Sequence, residues 1–190
     1  MATDRVSPQT NMNSNKRFGI HEVNDLSHEE FVKCFGNVVE HCALAASSVF
    51  SSRPFKNFED IRNIFENFVR NLNQEGKIGV ILLHPDLAGK MLNTGQLTAE
   101  SRREQAIGGF DSLTQDEHEK MTKWNGLYKD KFKFPFIQCV RENKKEVILR
   151  NLEIRYENSI EVEVETNINE VIKIGALRLK DLIVDVKAGL

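Results

Sequence analysis

Ser159-Ile160-Glu161-Val162-Glu163-Val164-Glu165 is the stretch on which the fold class turns. From Ile160 to Glu165 apolar and acidic residues alternate, the period-two pattern of a half-buried strand. The same residues also begin a longer series. Ile160, Val164, Ile168, Val171, Gly175 and Leu179 recur at helical spacing, over a length that few strands reach. The segment opens on Asn158-Ser159-Ile160-Glu161, a capping side chain followed three residues later by Glu, which is how helices start. Helix is the reading adopted and strand the alternative. Carried on to Val186, the stripe predicts a long amphipathic helix.

The same start signal recurs at Ser27-His28-Glu29-Glu30, Thr114-Gln115-Asp116-Glu117 and Asn143-Lys144-Lys145-Glu146. Apolar residues follow at helical spacing: Phe31, Cys34, Phe35, Val38 and Val39; Ile61, Ile64, Phe65, Phe68 and Leu72; Leu177, Leu182 and Val186. No Asn-Gly or Asp-Gly turn joins two alternating runs, and neither an internal repeat nor a linker interrupts the chain. The prediction is an all-α protein: one helical-bundle domain over residues 21–190, behind a disordered tail over 1–20 that is rich in Ser, Thr, Asn and Gln.

With 190 residues the chain can bury a core of its own. Its 26 Lys and Arg against 28 Asp and Glu give a net charge of -2, which excludes a strongly basic surface for nucleic acid. No apolar run is long enough to span a membrane, and the N-terminus lacks a signal-peptide core. Cys34, Cys42 and Cys139 are odd in number and lack CxxC spacing, which fits a reducing compartment. Cys34, His41 and Cys42 invite a metal reading by spacing; without a second ligand pair they are read as core residues.

The chemistry concentrates in His84-Pro85-Asp86-Leu87-Ala88-Gly89-Lys90 and Ser101-Arg102-Arg103-Glu104-Gln105. His84 closes the apolar run Ile78–Leu83, and Pro85 disfavours helix at the residue before it, so His84 is expected at an element boundary with its ring at a cavity edge. Ser101, Glu104 and Gln105 share one helical face. A titratable base opposite a polar triplet, in a chain without metal or nucleotide signatures, is sufficient for cofactor-free acid–base chemistry.

Further pieces place these residues in a family. Phe35-Gly36-Asn37-Val38-Val39-Glu40-His41, Arg53-Pro54-Phe55, the two segments just named, Lys131-Phe132-Lys133-Phe134-Pro135-Phe136-Ile137 and Ile174-Gly175-Ala176-Leu177-Arg178-Leu179 occur in order from about residue 27 to 183. Together they resemble the OHCU decarboxylase family of urate degradation. The resemblance implies an all-helical fold, usually a homodimer. It also implies a reaction without cofactor or metal that turns 2-oxo-4-hydroxy-4-carboxy-5-ureidoimidazoline into (S)-allantoin and carbon dioxide. Carried over by position, His84 matches the catalytic histidine; Pro85, the segment Ser101, Arg102, Arg103, Glu104 and Gln105, and the segment Phe136, Ile137, Gln138, Cys139 and Val140 match substrate-contacting stretches.

The sequence departs from the family at Gly108-Gly109-Phe110, where Ala-Gly-Leu is common, and at Lys133, where Phe-Gly-Phe-Pro has glycine. Lys133 is expected at the rim of the site. The family's frequent compartment is the peroxisome, but Ala188-Gly189-Leu190 lacks the central basic residue of a peroxisomal tripeptide, which leaves the cytoplasm as the alternative.

In such a substrate the carbon losing carboxylate lies beside a ring C=N that accepts the electron pair. The protein must orient the carboxylate, manage the proton of the neighbouring hydroxyl, and protonate one face. His84 suits the proton role because its ordinary pKa is near neutrality. Glu104 could bind ring and ureido N–H groups, orient His84 and assist departure of neutral carbon dioxide; its ordinary alternative is a surface pair with Arg102 or Arg103. Gln105 can donate and accept at an imidazolinone edge, Ser101 can bind the ligand or cap a turn, and Phe134-Pro135-Phe136 can wall the pocket while Ile137 to Val140 offer backbone N–H groups. Arg141 and Arg178 could grip the carboxylate or pair between helices. The rival classes are a non-catalytic helical interaction protein of the same fold and a metal-dependent hydrolase.

Overall fold

A computed structural model describes residues 17–89 and 97–184. Among them lie α1 (Ile20–Asp25), α2 (His28–Phe35), α3 (Ala43–Phe50), α4 (Phe58–Arg70), α5 (Gln74–Leu82), α6 (Ala99–Ile107), α7 (Gln115–Phe132), a 3-10 turn (Val140–Glu142), α8 (Lys145–Tyr156) and α9 (Ile160–Leu182). The ambiguous stretch is helical, and the all-α prediction holds. In α9 Val164, Ile168, Val171, Gly175 and Leu179 are buried as the stripe requires, whereas Ile160 is 41% exposed. Val186 falls outside the described residues, as does Ala188-Gly189-Leu190.

The strand-like alternation has a physical origin. Glu163, Asn167, Glu170 and Arg178 are buried beside the apolar stripe, one residue out of phase with it. At 100° per residue the two stripes together make one wide buried face, half of it polar. The helix packs against α4 and α5, with its polar half turned to the segment after α7 and to α6.

Ser27 and Thr114 cap α2 and α7 with reciprocal Glu30 and Glu117 bonds, an arrangement worth about 1 kcal/mol at each cap. Two predicted caps are displaced by one residue. Lys144 precedes α8 with no side-chain cap, because Asn143 Nδ2 donates to Cys139 O at 3.0 Å instead. Ser159, not Asn158, caps α9, and Asn158 Nδ2 donates to Glu163 Oε2 at 2.7 Å. A tertiary acceptor took each asparagine from its local role. The α2 series also stops early: Gly36 ends the helix, and Val38 and Val39 are buried from a turn.

The boundary at residue 20 is corrected as well. Phe18 is buried, its N–H reaches Leu182 O at 2.7 Å, and it accepts from Val184 N at 2.8 Å. The tail expected before residue 17 lies outside the described residues. Phe31, Phe35 and Phe55 stack in one half of the core; in the other Tyr128 meets Phe134 and Phe136 edge to face, and Phe132 stacks on Phe134. Each such buried ring contributes roughly 1.5–3 kcal/mol.

Candidate active site

His84 stands two residues beyond the end of α5, where Pro85 ends any helical continuation. Its Nδ1 lies 3.0 Å from Val80 O, and a carbonyl can only accept, so Nδ1 carries the proton in the neutral ring. Nε2 is buried without a hydrogen-bond partner. Burial pushes the ring's pKa down to about 4; Glu40 and the Val80 bond oppose this, while Arg178 and His41 add to it. At neutral pH His84 is therefore an uncharged imidazole with a free Nε2 lone pair. It lines a cavity enclosing about 460 Å³, including the open mouth, opposite Ser101, Glu104 and Gln105 of α6.

The face of α6 forms as its spacing predicts. Ser101, Glu104 and Gln105 are buried and Arg102 and Arg103 are exposed on the other side of the helix. Neither arginine lines the cavity. Arg103 stands 3.5 Å from Asp181 beside a neighbouring cleft. Gln105 Oε1 accepts from Ala88 N at 3.0 Å and so holds the loop after His84, in which Ala88 takes a positive φ of 50°.

Glu104 pairs with neither of its neighbours. Arg178 of α9 grips it with two parallel bonds, Nε to Oε1 at 2.9 Å and Nη2 to Oε2 at 2.7 Å. Arg178 also donates to Ser101 Oγ at 3.1 Å and Asn37 O at 2.8 Å, and its Nη1 is 2.6 Å from Glu40 Oε2. Its guanidinium is thus fully engaged by the protein. Arg141, which also borders the cavity, is held at 2.8 and 3.1 Å by the two oxygens of Asp181. For both arginines the structure shows ion pairing between elements.

The opposite wall is the segment Phe136 to Val140, extended as far as Cys139 and entering the 3-10 turn at Val140, all of it buried. The sequence offered its N–H groups to a ligand, but two are already used. Ile137 N donates to Asn167 Oδ1 at 2.9 Å and Cys139 N to Glu170 Oε2 at 2.7 Å. These acceptors belong to the polar stripe of α9, which is what that stripe is for. Behind it Glu163 accepts from Tyr128 Oη and from Arg155 Nε, and Arg155 donates on to Ile137 O at 2.8 Å. The buried side chains Tyr128, Gln138, Arg155, Glu163, Asn167 and Glu170 all have partners, so the wall is stiff. Burial, with Glu142 and Glu170 nearby, pushes the Cys139 thiol up to about 11, so it remains protonated at neutral pH.

Glu40 was not among the predicted site residues. It is fully buried in the turn between α2 and α3, accepts from Thr98 Oγ1 at 2.8 Å and adjoins Arg178. A lone acid within the apolar run Val38-Val39-Glu40 was the available signal. Of the residues weighed for metal and assigned to the core, Cys34 and Cys42 pack partly buried against it, but His41 is exposed at a positive φ of 49°. The turn after Gly36 breaks the helical face that would have aligned the three.

Comparison with known proteins places this geometry. The OHCU decarboxylase family model matches residues 24–180. The 2-oxo-4-hydroxy-4-carboxy-5-ureidoimidazoline decarboxylase of Amia calva is 46% identical over 162 residues, 85% of this chain and 93% of that one. The chain belongs to the OHCU decarboxylase family.

The Mus musculus decarboxylase of the same name is 42% identical, over 85% of this chain and 91% of its own. The fold agrees with two solved structures of lower identity. One, titled an OHCU decarboxylase in the presence of (S)-allantoin, has a TM-score of 0.62 at 24% identity, covering 81% of this chain and 96% of that one. The other, an (S)-allantoin synthase, has a TM-score of 0.68 at 23% identity, covering 87% and 54%. Against the OHCU decarboxylase pattern, Lys133 sits at the left-handed end of α7, φ 66°, and does not line the cavity, so its expected place at the rim is corrected. Gly108 ends α6 where a Cβ would come within 3.0 Å of Val140 Cβ, which lets the helix approach the opposite wall closely.

Proposed function

We propose that this protein decarboxylates 2-oxo-4-hydroxy-4-carboxy-5-ureidoimidazoline to (S)-allantoin and carbon dioxide, with no cofactor and with His84 moving the proton. The observation that carries the reading is His84 itself: a neutral ring, fixed through Nδ1, with Nε2 buried and unpartnered, in the lining of a cavity walled by Ser101, Glu104 and Gln105. Nε2 takes the proton of the substrate hydroxyl. The C–C bond to the carboxylate breaks, carbon dioxide leaves, and its electron pair moves into the ring C=N. The former hydroxyl carbon becomes the ketone, and His84 returns a proton to the adjacent carbon from one face. A proton from solution balances the consumed carboxylate. An anionic substrate beside the ring raises the basicity that burial lowers.

Glu104, immobilised by Arg178, accepts from the substrate's N–H groups and places a negative charge near the scissile carboxylate, favouring its departure as a neutral molecule. Gln105 and Ser101 contact the ring edge, and Pro85 and Phe136 to Val140 close the other sides. With Ile137 and Cys139 N–H already used, the alternating N–H groups of Gln138 and Val140 are the donors assigned to substrate oxygens. Arg103, beside the cleft that Glu104, Arg141 and Arg178 also line, is assigned to the approach to the site, and Arg102, which borders neither the cavity nor that cleft, is not.

The experiment is direct. Purified protein added to freshly generated substrate should yield optically active allantoin, before and after exhaustive chelation. Racemic product at the spontaneous rate would refute the activity, and loss in chelator restored by zinc would refute the cofactor-free mechanism. From the family resemblance we further assign a homodimer and the peroxisome. Among the described residues no helix is long and apolar enough to cross a membrane. Ala188-Gly189-Leu190 alone should leave a fluorescent fusion diffuse in the cytosol, and punctate colocalisation with a peroxisomal marker would show the tripeptide to be sufficient.

A further inference from the structure

Glu40 is fully buried, and its two oxygens serve two different helices. Oε1 accepts from Thr98 Oγ1 at 2.8 Å, and Thr98 is the N-cap of α6, its Oγ1 accepting from Ser101 N at 3.1 Å. Oε2 lies 2.6 Å from Nη1 of Arg178, the residue that grips Glu104. One side chain in the α2–α3 turn therefore ties the start of the helix carrying Ser101, Glu104 and Gln105 to the α9 cation that aims Glu104. Burying a carboxylate costs several kcal/mol unless it is paired and bonded, so a plain packing role would be met more cheaply by an apolar residue.

We infer that Glu40 is a positioning residue of the active site: it fixes the Arg178–Glu104 pair against the start of α6. Burial favours protonation of Glu40, but Arg178, with the Thr98 bond, outweighs it and holds the carboxyl below its ordinary range. The charge is thus present at neutral pH. Its field acts on His84 in the raising direction, against burial and against Arg178 and His41. The other ionisable groups around the same cavity are Glu104 of α6, Arg141 of the 3-10 turn and the protonated Cys139. Arg178 is shared between Glu104 and Glu40, so its single positive charge faces two carboxylates. One negative charge of that group is left over, and Glu40 is the carboxylate whose field raises the basicity of the imidazole.

The inference rests on the decarboxylase reading for its kinetics but not for its titration. In the full-length protein Glu40→Gln keeps the shape and removes the charge. NMR titration of the His84 ring should then show it protonating at lower pH than in the wild type. Turnover should fall about 10–100-fold, as for a displaced catalytic constellation, with KM within about threefold. An unmoved His84 titration, or wild-type turnover with only a lowered melting temperature, would overturn the inference. Should Glu40→Gln fail to fold, Glu40→Asp decides: it keeps the charge and shortens the reach, so the titration should stay in place while turnover drops, and unchanged turnover refutes positioning. A wild type inert towards the substrate would refute the decarboxylase reading instead, and the titration would still judge Glu40.

Discussion

At the scale of single residues the site depends on a histidine held neutral by burial. The folded-state pKa of His84 lies near 4 against an ordinary 6.5, so protons bind the unfolded chain more tightly. Its contribution to stability is complete above pH 6.5 and is lost as the pH falls towards 4, about 3 kcal/mol in all. His84→Asn should remove that part of the acid destabilisation, measured by denaturant unfolding between pH 7 and 4. The same substitution should cost roughly 10²–10⁴-fold in turnover at neutral pH with helical circular dichroism preserved. Turnover within threefold of wild type would refute the assigned role. Glu104→Gln should lower activity less than Glu104→Ala, because the amide can still bond to Arg178 and to the ligand.

At the scale of elements, the chain ends its helices with different success. α7 closes on Lys133 in the left-handed region, φ 66°, where a side chain is strained and glycine is not. Lys133→Gly should therefore raise stability by roughly 0.5–1 kcal/mol and the melting temperature by about 2 °C, with kinetic constants unchanged because Lys133 stands off the cavity. Calorimetry on the two proteins checks it. α9 shows how one helix can serve two ends. Its apolar stripe holds α4 and α5, and its polar stripe holds the wall segment through Asn167 and Glu170. The alternation in Ile160–Glu165 looks like a strand because Glu163, counted as solvent-facing, is buried.

At the scale of the whole molecule, α9 braces the candidate site through Arg178, Asn167 and Glu170 and also closes the fold. It meets the N-terminal segment through the Phe18–Ile183 bridge, so Phe18 belongs to the domain and not to a tail. Exposed apolar side chains remain, Leu82 at 54% and Val162 at 53% among them. The homodimer itself is assigned from the resemblance alone. Light scattering at micromolar concentration should give twice the chain mass. A monomer would remove the dimer and leave both fold and site untouched.

The sequence by itself determined the helical class, from periodicity carried over a length that few strands reach, and the face of α6, because Ser101, Glu104 and Gln105 are neighbours by local geometry alone. It also put His84 at an element boundary, since proline acts on the residue before it. Tertiary structure decided whatever depends on partners distant in the chain. Arg178 could not be matched to Glu104, 74 residues away, from spacing. Nor could the sequence reveal that Asn167 and Glu170 occupy the N–H groups of Ile137 and Cys139, or that Glu40 stands behind Arg178. Patterning records which side of an element is apolar. A buried polar residue breaks that pattern without naming its partner, and only packing brings the two together.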